Sequence, residues 1–355
     1  MILPVFDSEE FLQQALDSMV NQTFSDFEVL VISEYDTNER SLSIINKQTD
    51  ERLRHIHNSK RLGLVRSLNL GLKLARGEYV ARMDADDISL PERLEKQVNF
   101  LDQHEEIGFL GTAFEVIDDH GRTLSKHIPP NGPLWVKWLI PFFDAADVPH
   151  PTVMGRRTVY RKLGGYDPTA LYAEDYELWV RAIQVTRITN LRDVLLRLRR
   201  HVRSRSSSSS RRDQAEATLT ISENALRKAF GNHLSSEAIR SMLRPYPVSS
   251  PANAFDAAKA LFDLFLRYIE LNEMSPREEL RVRHDVANRL QQIAISCAPK
   301  NPSFSLGIWR LIQKVCPDQR PSFLFLSTIQ KTWDRVPQLR YVSKHLGVAR
   351  HDSWN

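Results

Sequence analysis

Cysteine is scarce: the 355 residues carry two, Cys297 and Cys316. They lack metal-ligand spacing and make no disulfide framework, which argues against a stapled secreted scaffold and against a cysteine-built metal centre. A reducing cytoplasm fits that usage. Long apolar runs are also missing. The most apolar stretches, residues 134–143 and 261–266, fall short of the roughly 18 residues a membrane-spanning helix needs. No basic segment precedes the opening Ile2, Leu3, Pro4, Val5 and Phe6, so no secretory leader is expected. Glycine is absent from residues 4–10, where a nucleotidyltransferase would be expected to place a glycine-rich phosphate loop. Acids thin out later. Residues 187–212 hold nine arginines and one acid, Asp193, and no aromatic for stacking bases. That argues against a nucleic-acid partner.

What is present is an ordinary globular composition, 42% hydrophobic and 26% charged, with net charge +4. Over residues 1–130, strand and helix signals alternate. Residues 2–6 and 27–32 are apolar β-prone runs, the second continuous enough for a strand buried on both faces. Residues 53–57, 78–83 and 109–117 are further strands. Helical spacing recurs after Ser8 and over residues 41–47, 64–75 and 91–104. This order implies an α/β fold, a mostly parallel sheet flanked by helices. The ends of its strands should bring residues 4–7, 33–36 and 84–87 to one edge, where such sheets bind ligands. A helix is expected over residues 173–182, and the alternating Leu and Arg of residues 192–200 could be an edge strand. Residues 206–214, rich in serine and arginine, read as a linker. Residues 215–355 read as helical, with helices over 254–268, 276–296, 304–315 and 322–333. The domains are then 1–205, the linker 206–214, and a helical region 215–355.

The densest chemical signal is Asp84, Ala85, Asp86 and Asp87, three carboxylates in four residues at a strand end. Crowded carboxylates repel, and burying them is costly unless a cation neutralises them. A hard divalent ion shared with substrate phosphates meets that need. An acidic solvated turn, with Asp87 capping the helix after Pro91, is the plain alternative.

In order, these features resemble the family 2 glycosyltransferases, which adopt the GT-A fold. The family's opening turn is matched by Pro4, Val5, Phe6, Asp7, Ser8 and Glu9. Residues 18–28 (SMVNQTFSDFE) match its next segment. The glycine-containing helix segment runs from Lys60 and Gly63 through Asn69 and Gly71 to Gly77, Glu78 and Tyr79. The acidic turn takes the place of the metal-binding D-x-D. Gly164, Gly165, Tyr166 and Asp167, then Glu174 and Asp175, look like the family's G-G-[YF]-D and the pair that carries its base. The resemblance covers residues 1–205. It implies an inverting transfer of a sugar from a nucleotide-sugar, UDP-linked by expectation, to a hydroxyl of a polysaccharide or lipid-linked glycan. It also implies Mg²⁺ or Mn²⁺ on Asp86, with Asp84 on the ribose or the ion's water shell.

By the same resemblance Asp175 would be the general base with Glu174 beside it. Pro4, Phe6, Glu9, Glu34, Arg66, Asp84 and Ala85 would line the nucleotide. His201 could reach the metal or diphosphate, or be a solvated loop residue. Lys60 and Arg66 could reach the diphosphate or be surface charge. His150 and Arg157 could shape the acceptor side or belong to a structural turn, while Trp179 at helical spacing from Tyr176 fits the core better than a platform for a sugar face. One departure stands out. Where relatives carry two adjacent acids after the second strand, this chain has Ser33 and Glu34. That leaves open a catalytically silent nucleotide-sugar or lipid-binding protein. The arginine-rich stretch is either a solvated linker or an attachment to an anionic membrane surface, which would make the protein peripheral at the inner face of the plasma membrane.

Overall fold

The structure is a computed structural model that describes residues 1–142, 148–201, 211–230, 234–243, 250–297 and 302–318. The chain divides into two compact units, Met1–Ser222 and Glu223–Asn355.

The first unit opens with β1 (Ile2–Val5), α1 (Leu12–Val20), β2 (Val29–Ser33), α2 (Glu39–Asn46), β3 (Leu53–His57), α3 (Leu64–Leu74) and β4 (Tyr79–Ala81). Next come β5 (Ile88–Ser89), α4 (Arg93–Gln103), β6 (Ile107–Ile117), β7 (Thr123–His127) and α5 (Pro133–Leu139). They are followed by β8 (Met154–Arg156), α6 (Arg157–Leu163), α7 (Glu174–Ala182) and β9 (Arg187–Arg199). β1, β2 and β3 form a parallel sheet. A single parallel bridge between Ile2 and Arg82 joins it to a second sheet ordered β4-β8-β6-β9-β5, with β7 paired to β6.

Strand alternation builds the layers. β2 is buried at all five residues, as its uninterrupted apolar run implies. Ile2, Leu30 and Ile32 turn to one face and pack with Val65 and Leu68 of α3 and with Tyr176 and Trp179 of α7. Leu3, Val5, Val29 and Val31 turn to the other and pack with Leu12 and Leu16 of α1 and Leu94 and Leu101 of α4. At Gly71 the helix α3 lies so close to β1 that a Cβ would stand 2.8 Å from the Ile2 side chain. Trp179 is core, 1% exposed, against the Phe109 ring at 5.1 Å.

Three expectations need correction. The sheet is mixed rather than mostly parallel: β4–β8, β6–β8, β5–β9 and β6–β7 are antiparallel, and in the second sheet β6–β9 is the parallel pair. The arginine–leucine strand is no edge strand. β9 runs for 13 residues between β6 and β5, with Leu195, Leu196 and Arg199 all buried. The expected linker 206–214 is helical from its sixth residue, because α8 (Arg211–Phe230) begins there, whereas 206–210 lie outside the described residues.

The second unit is helical where described, with α9 (Ser236–Ser241), α10 (Pro251–Leu271), α11 (Pro276–Cys297) and α12 (Pro302–Val315). Apolar residues at helical spacing, Ala254, Ala258, Leu261 and Phe265 on α10 and Val282, Val286, Leu290 and Ile293 on α11, are buried. The helix expected over 322–333 lies outside the described residues. No helix among the described residues is long and apolar enough to cross a membrane.

Candidate active site

The first sheet and the acidic turn open onto a cavity of about 660 Å³, lined among others by Phe6, Glu34, Arg61, Asp84, Asp86 and Asp175. Its floor comes from strand ends. β1 stops at Val5, and Asp7 turns the chain through a left-handed φ of 44°. Asp7 Oδ1 accepts the Asn38 backbone N–H at 3.0 Å and its Nδ2 at 2.9 Å, which ties the loop after β1 to the start of α2. Phe6 is left 43% exposed at the cavity wall, with the Arg61 guanidinium 4.9 Å over its ring and Asp36 3.2 Å from Arg61.

The acidic turn follows β4, and the Asp87 N–H donates to the Asp84 carbonyl. One oxygen of each of Asp84, Asp86 and Asp87 lies within 4.8 Å of the others. Three arginines that the sequence did not single out surround the turn. Arg82, 4% exposed, grips Asp84 with both terminal nitrogens, Nη1 on Oδ2 at 2.7 Å and Nη2 on Oδ1. Arg93, fully buried, donates Nη2 to the Arg82 carbonyl at 2.8 Å. The Arg199 backbone N–H donates to Asp87 Oδ1 at 2.9 Å, and its side chain donates to the Asp86 carbonyl at 3.0 Å. Asp87 therefore anchors β9 and does not cap the helix after Pro91. His201, just past β9, sets Nε2 2.9 Å from Asp86 Oδ2.

The electrostatics follow from this crowding. Burial, then the Asp84 charge, pushes the Asp86 carboxyl above its ordinary range. Burial, then Asp84 and Asp86, pushes Asp87 well above it. Burial opposes charge on Arg82, yet the neighbouring carboxylates, Asp84 first, hold its pKa above the usual guanidinium value. Arg93, without such a direct partner, is pushed down to about 9 by burial. Asp87 Oδ2 is buried with no hydrogen-bond partner. Converging hard oxygens that resist ionisation together fit a divalent cation, which would relieve the repulsion.

Across the chain, Asp175 sits in the first turn of α7. Gly164 and Gly165 set up that approach with φ of 75° and 79°, and Asn69 of α3 holds the turn by accepting the Tyr166 N–H at 2.9 Å and donating to the Tyr166 carbonyl at 2.8 Å. Asp175 Oδ1 accepts its neighbour's backbone N–H at 2.8 Å. Burial first, and Glu174 second, push the Asp175 carboxyl up to about 6. His150 lines the same cavity, with Nε2 2.9 Å from the Tyr166 hydroxyl.

Pro4, Phe6, Glu34, Ala85, the three aspartates, Glu174, Asp175 and His201 thus meet in one cavity. Glu9 and Arg66 are not among its lining residues. Glu9 Oε2 accepts Asn38 Nδ2 at 2.8 Å, and Arg66 is exposed on α3, as is Lys60 before it. Arg61 faces the cavity instead. Arg157 donates to the Ala75 carbonyl at 3.2 Å and is not a lining residue either. Glu34 has both oxygens engaged, accepting the Leu62 N–H at 2.7 Å and the Ser67 hydroxyl at 2.8 Å. Ser33, in place of an acid, sits with its Oγ 2.8 Å from His55 Nε2 and 2.9 Å from His57 Nδ1. Tyr172, which belongs to no motif singled out above, lines the cavity with a left-handed φ of 69°.

Known proteins resemble this chain in sequence and in fold. A family model described as glycosyl transferase family 2 matches residues 1–164. An uncharacterized glycosyltransferase of Methanocaldococcus jannaschii is 33% identical over 179 residues, spanning 50% of this chain and 61% of that protein. The chain therefore spans under two thirds of that relative's length. The O-antigen biosynthesis glycosyltransferase WbnJ of Escherichia coli is 31% identical over 217 residues, 59% of this chain and 82% of the relative. Among solved structures, S. aureus TarS 1-349 in complex with UDP-GlcNAc aligns with a TM-score of 0.53 at 18% identity, covering 95% of this chain and 90% of that one. That likeness is one of fold. Together with the acidic turn and the glycine-glycine turn ahead of α7, these matches make the chain a member of glycosyl transferase family 2 with a GT-A fold.

Proposed function

We propose that the protein is a metal-dependent inverting glycosyltransferase that moves a sugar from a UDP-linked donor to a hydroxyl of a polysaccharide or lipid-linked glycan. The observation that carries this reading is the sharing of one cavity by the Asp84–Asp86–Asp87 cluster and Asp175. Asp86, with Asp84 and His201, would hold Mg²⁺ or Mn²⁺, and such an ion supplies neutralising charge to the diphosphate oxygens. Phe6 offers a ring face to the nucleotide base. Glu34 acts through the loop it pins: its bonds to Leu62 and Ser67 hold residues 61–63, and so hold Arg61 over Phe6. Asp175 takes the proton from the acceptor hydroxyl as its oxygen attacks C1 of the sugar opposite the departing nucleoside diphosphate, which inverts the anomeric centre. General-base help of this kind is typically worth ~10²–10⁴-fold.

The UDP assignment draws support from the ligand in the TarS complex, and the polymeric acceptor from the O-antigen role in the name of the Escherichia coli relative. The test is nucleotide release from a panel of UDP-, GDP- and dTDP-sugars with Mn²⁺ or with EDTA. One UDP-sugar should turn over with Mn²⁺ and stop in EDTA. Asp86→Ala should abolish the Mn²⁺-dependent rise in melting temperature that UDP gives the unmodified protein. A panel in which donors bind but none turns over would leave a silent nucleotide-sugar binder as the better reading.

A further inference from the structure

Tyr172 is placed where its own fold gains little from it. Its φ of 69° lies in the left-handed region that a bulky residue adopts only under strain. The surrounding turn is held in place without help from the Tyr172 side chain. The Thr169 N–H and hydroxyl both reach Asp167 Oδ1 at 2.8 Å, and the Leu171 N–H donates to the Thr169 carbonyl at 2.9 Å. Tyr172 is 44% exposed, and among the described residues its ring makes no ring contact and its hydroxyl no hydrogen bond. Glycine would relieve the backbone, and it would remove a side chain that the fold leaves largely facing solvent. Yet a large aromatic side chain stands in the cavity wall, three positions before Asp175.

We propose that the Tyr172 ring is a stacking platform for the acceptor, receiving the apolar C–H face of the sugar whose hydroxyl is presented to Asp175. The inference rests on the glycosyltransferase reading above. A pyranose has one face rich in axial C–H groups, and a flat ring covers it without requiring particular hydroxyl positions. The platform therefore selects a carbohydrate ring over a flexible polyol or water. It fixes the acceptor beside the base through a side chain with two rotatable bonds, anchored on a turn that Asp167 rigidifies. Strain stored in that turn is the cost of holding the ring out in the cavity.

The test compares Tyr172→Ala, Tyr172→Phe and Tyr172→Gly with the unmodified protein. Donor turnover with Mn²⁺ is measured against octyl β-D-glucoside, octyl β-D-galactoside and octyl N-acetyl-β-D-glucosaminide as acceptor probes. Tyr172→Ala should raise the KM of the accepted glycoside about tenfold, with a much smaller change in donor KM. Tyr172→Phe should stay within about threefold of the unmodified protein, since the ring face is kept. Tyr172→Gly should lose acceptor affinity like alanine yet melt no lower than the unmodified protein. An acceptor KM that Tyr172→Ala leaves unmoved, an equal rise in donor KM, or a clearly lower melting temperature for Tyr172→Gly overturns the proposal. If no probe supports turnover, saturation-transfer NMR of the same glycosides on the UDP–Mn²⁺ complex decides. Binding that Tyr172→Ala removes sustains the platform, and binding that it leaves, or no binding at all, refutes it. Nucleotide release from the donor panel reports separately on the underlying glycosyltransferase reading.

Discussion

A carboxyl that takes a proton at neutral pH must first be ionised, and the surroundings of Asp175 work against that. Burial and the adjacent Glu174 push it up to about 6. The pH profile of kcat/KM should therefore rise through about pH 6 and level off above it, and Asp175→Asn should lose transfer by at least ~10²-fold while still binding UDP with Mn²⁺. The same shift has a stability consequence. Asp175 ordinarily titrates at 3.8 and in the fold at about 6, so its contribution is complete below about pH 4 and is lost as pH rises through 6. Asp175→Asn should accordingly be more stable than the parent at pH 8, by roughly 1–3 kcal/mol, and equal to it at pH 4. Urea melts at the two pH values check this; an identical gain at both would mean that burial does not penalise the charge. Arg82 makes the opposite case. Removing it as Arg82→Met leaves the partly exposed Asp84 without the group that grips it and should cost about 1–3 kcal/mol. Mn²⁺ should restore more stability to that variant than it adds to the parent. The acids were legible in the sequence because their spacing is unusual. Arg82 was not, because a charged residue at a strand end is ordinarily solvated and nothing in the spacing shows it folding back onto Asp84. The departure at Ser33 and Glu34 was visible, but the role of Glu34 was not: its two oxygens accept the Leu62 N–H and the Ser67 hydroxyl.

Elements place these residues, and the glycine-glycine turn between α6 and α7 shows how. Gly164 and Gly165 both have left-handed φ, but their surroundings differ. A Cβ on Gly164 would meet nothing within 4 Å, whereas one on Gly165 would stand 2.5 Å from Asn69 Oδ1, the acceptor of the Tyr166 N–H. Gly164→Ala should therefore cost about 1 kcal/mol, the price of its backbone alone. Gly165→Ala should cost clearly more, about 2–4 kcal/mol, because it also breaks the Asn69 clamp that sets the entry to α7. Chemical denaturation of the two variants separates the effects, and equal losses would remove Asn69 from the account. At this scale the sequence was a good guide to local structure. β3 falls on the residues expected, and β2 is buried on both faces as its apolar run implied. It was a poor guide to direction and neighbours. β4, β8 and β5 are two or three residues long, too short to carry a period, and they supply three of the antiparallel pairings. The alternating arginines of β9 suggested a solvated edge. Arg199 instead points inward, its guanidinium 4.3 Å over the Phe11 ring and its Nη1 on the Asp118 and Asp119 carbonyls.

For the molecule as a whole, the arginine-rich segment decides between a protein free in solution and one held at an anionic membrane surface. Its charge is not all available. Arg199 is buried and Arg197 pairs with Glu115 at 3.4 Å, whereas Arg187, Arg192 and Arg200 are exposed. Arginines that already have protein partners would lose them on meeting a lipid head group, so the exposed ones should carry any attraction. Each basic residue near such a surface is worth about 1 kcal/mol, and the attraction falls off within a Debye length. The full chain should therefore sediment with vesicles rich in phosphatidylserine at low ionic strength, and not with phosphatidylcholine alone. Salt at about 0.5 M should release it. Replacing Arg187, Arg192 and Arg200 together with alanine should weaken binding on the order of 100-fold if all three face the bilayer. Because none of these three residues lines the cavity, UDP should stabilise the triple variant as it does the parent. A chain that ignores anionic vesicles at low salt refutes the membrane attachment, and its acceptor must then reach it without help from the membrane.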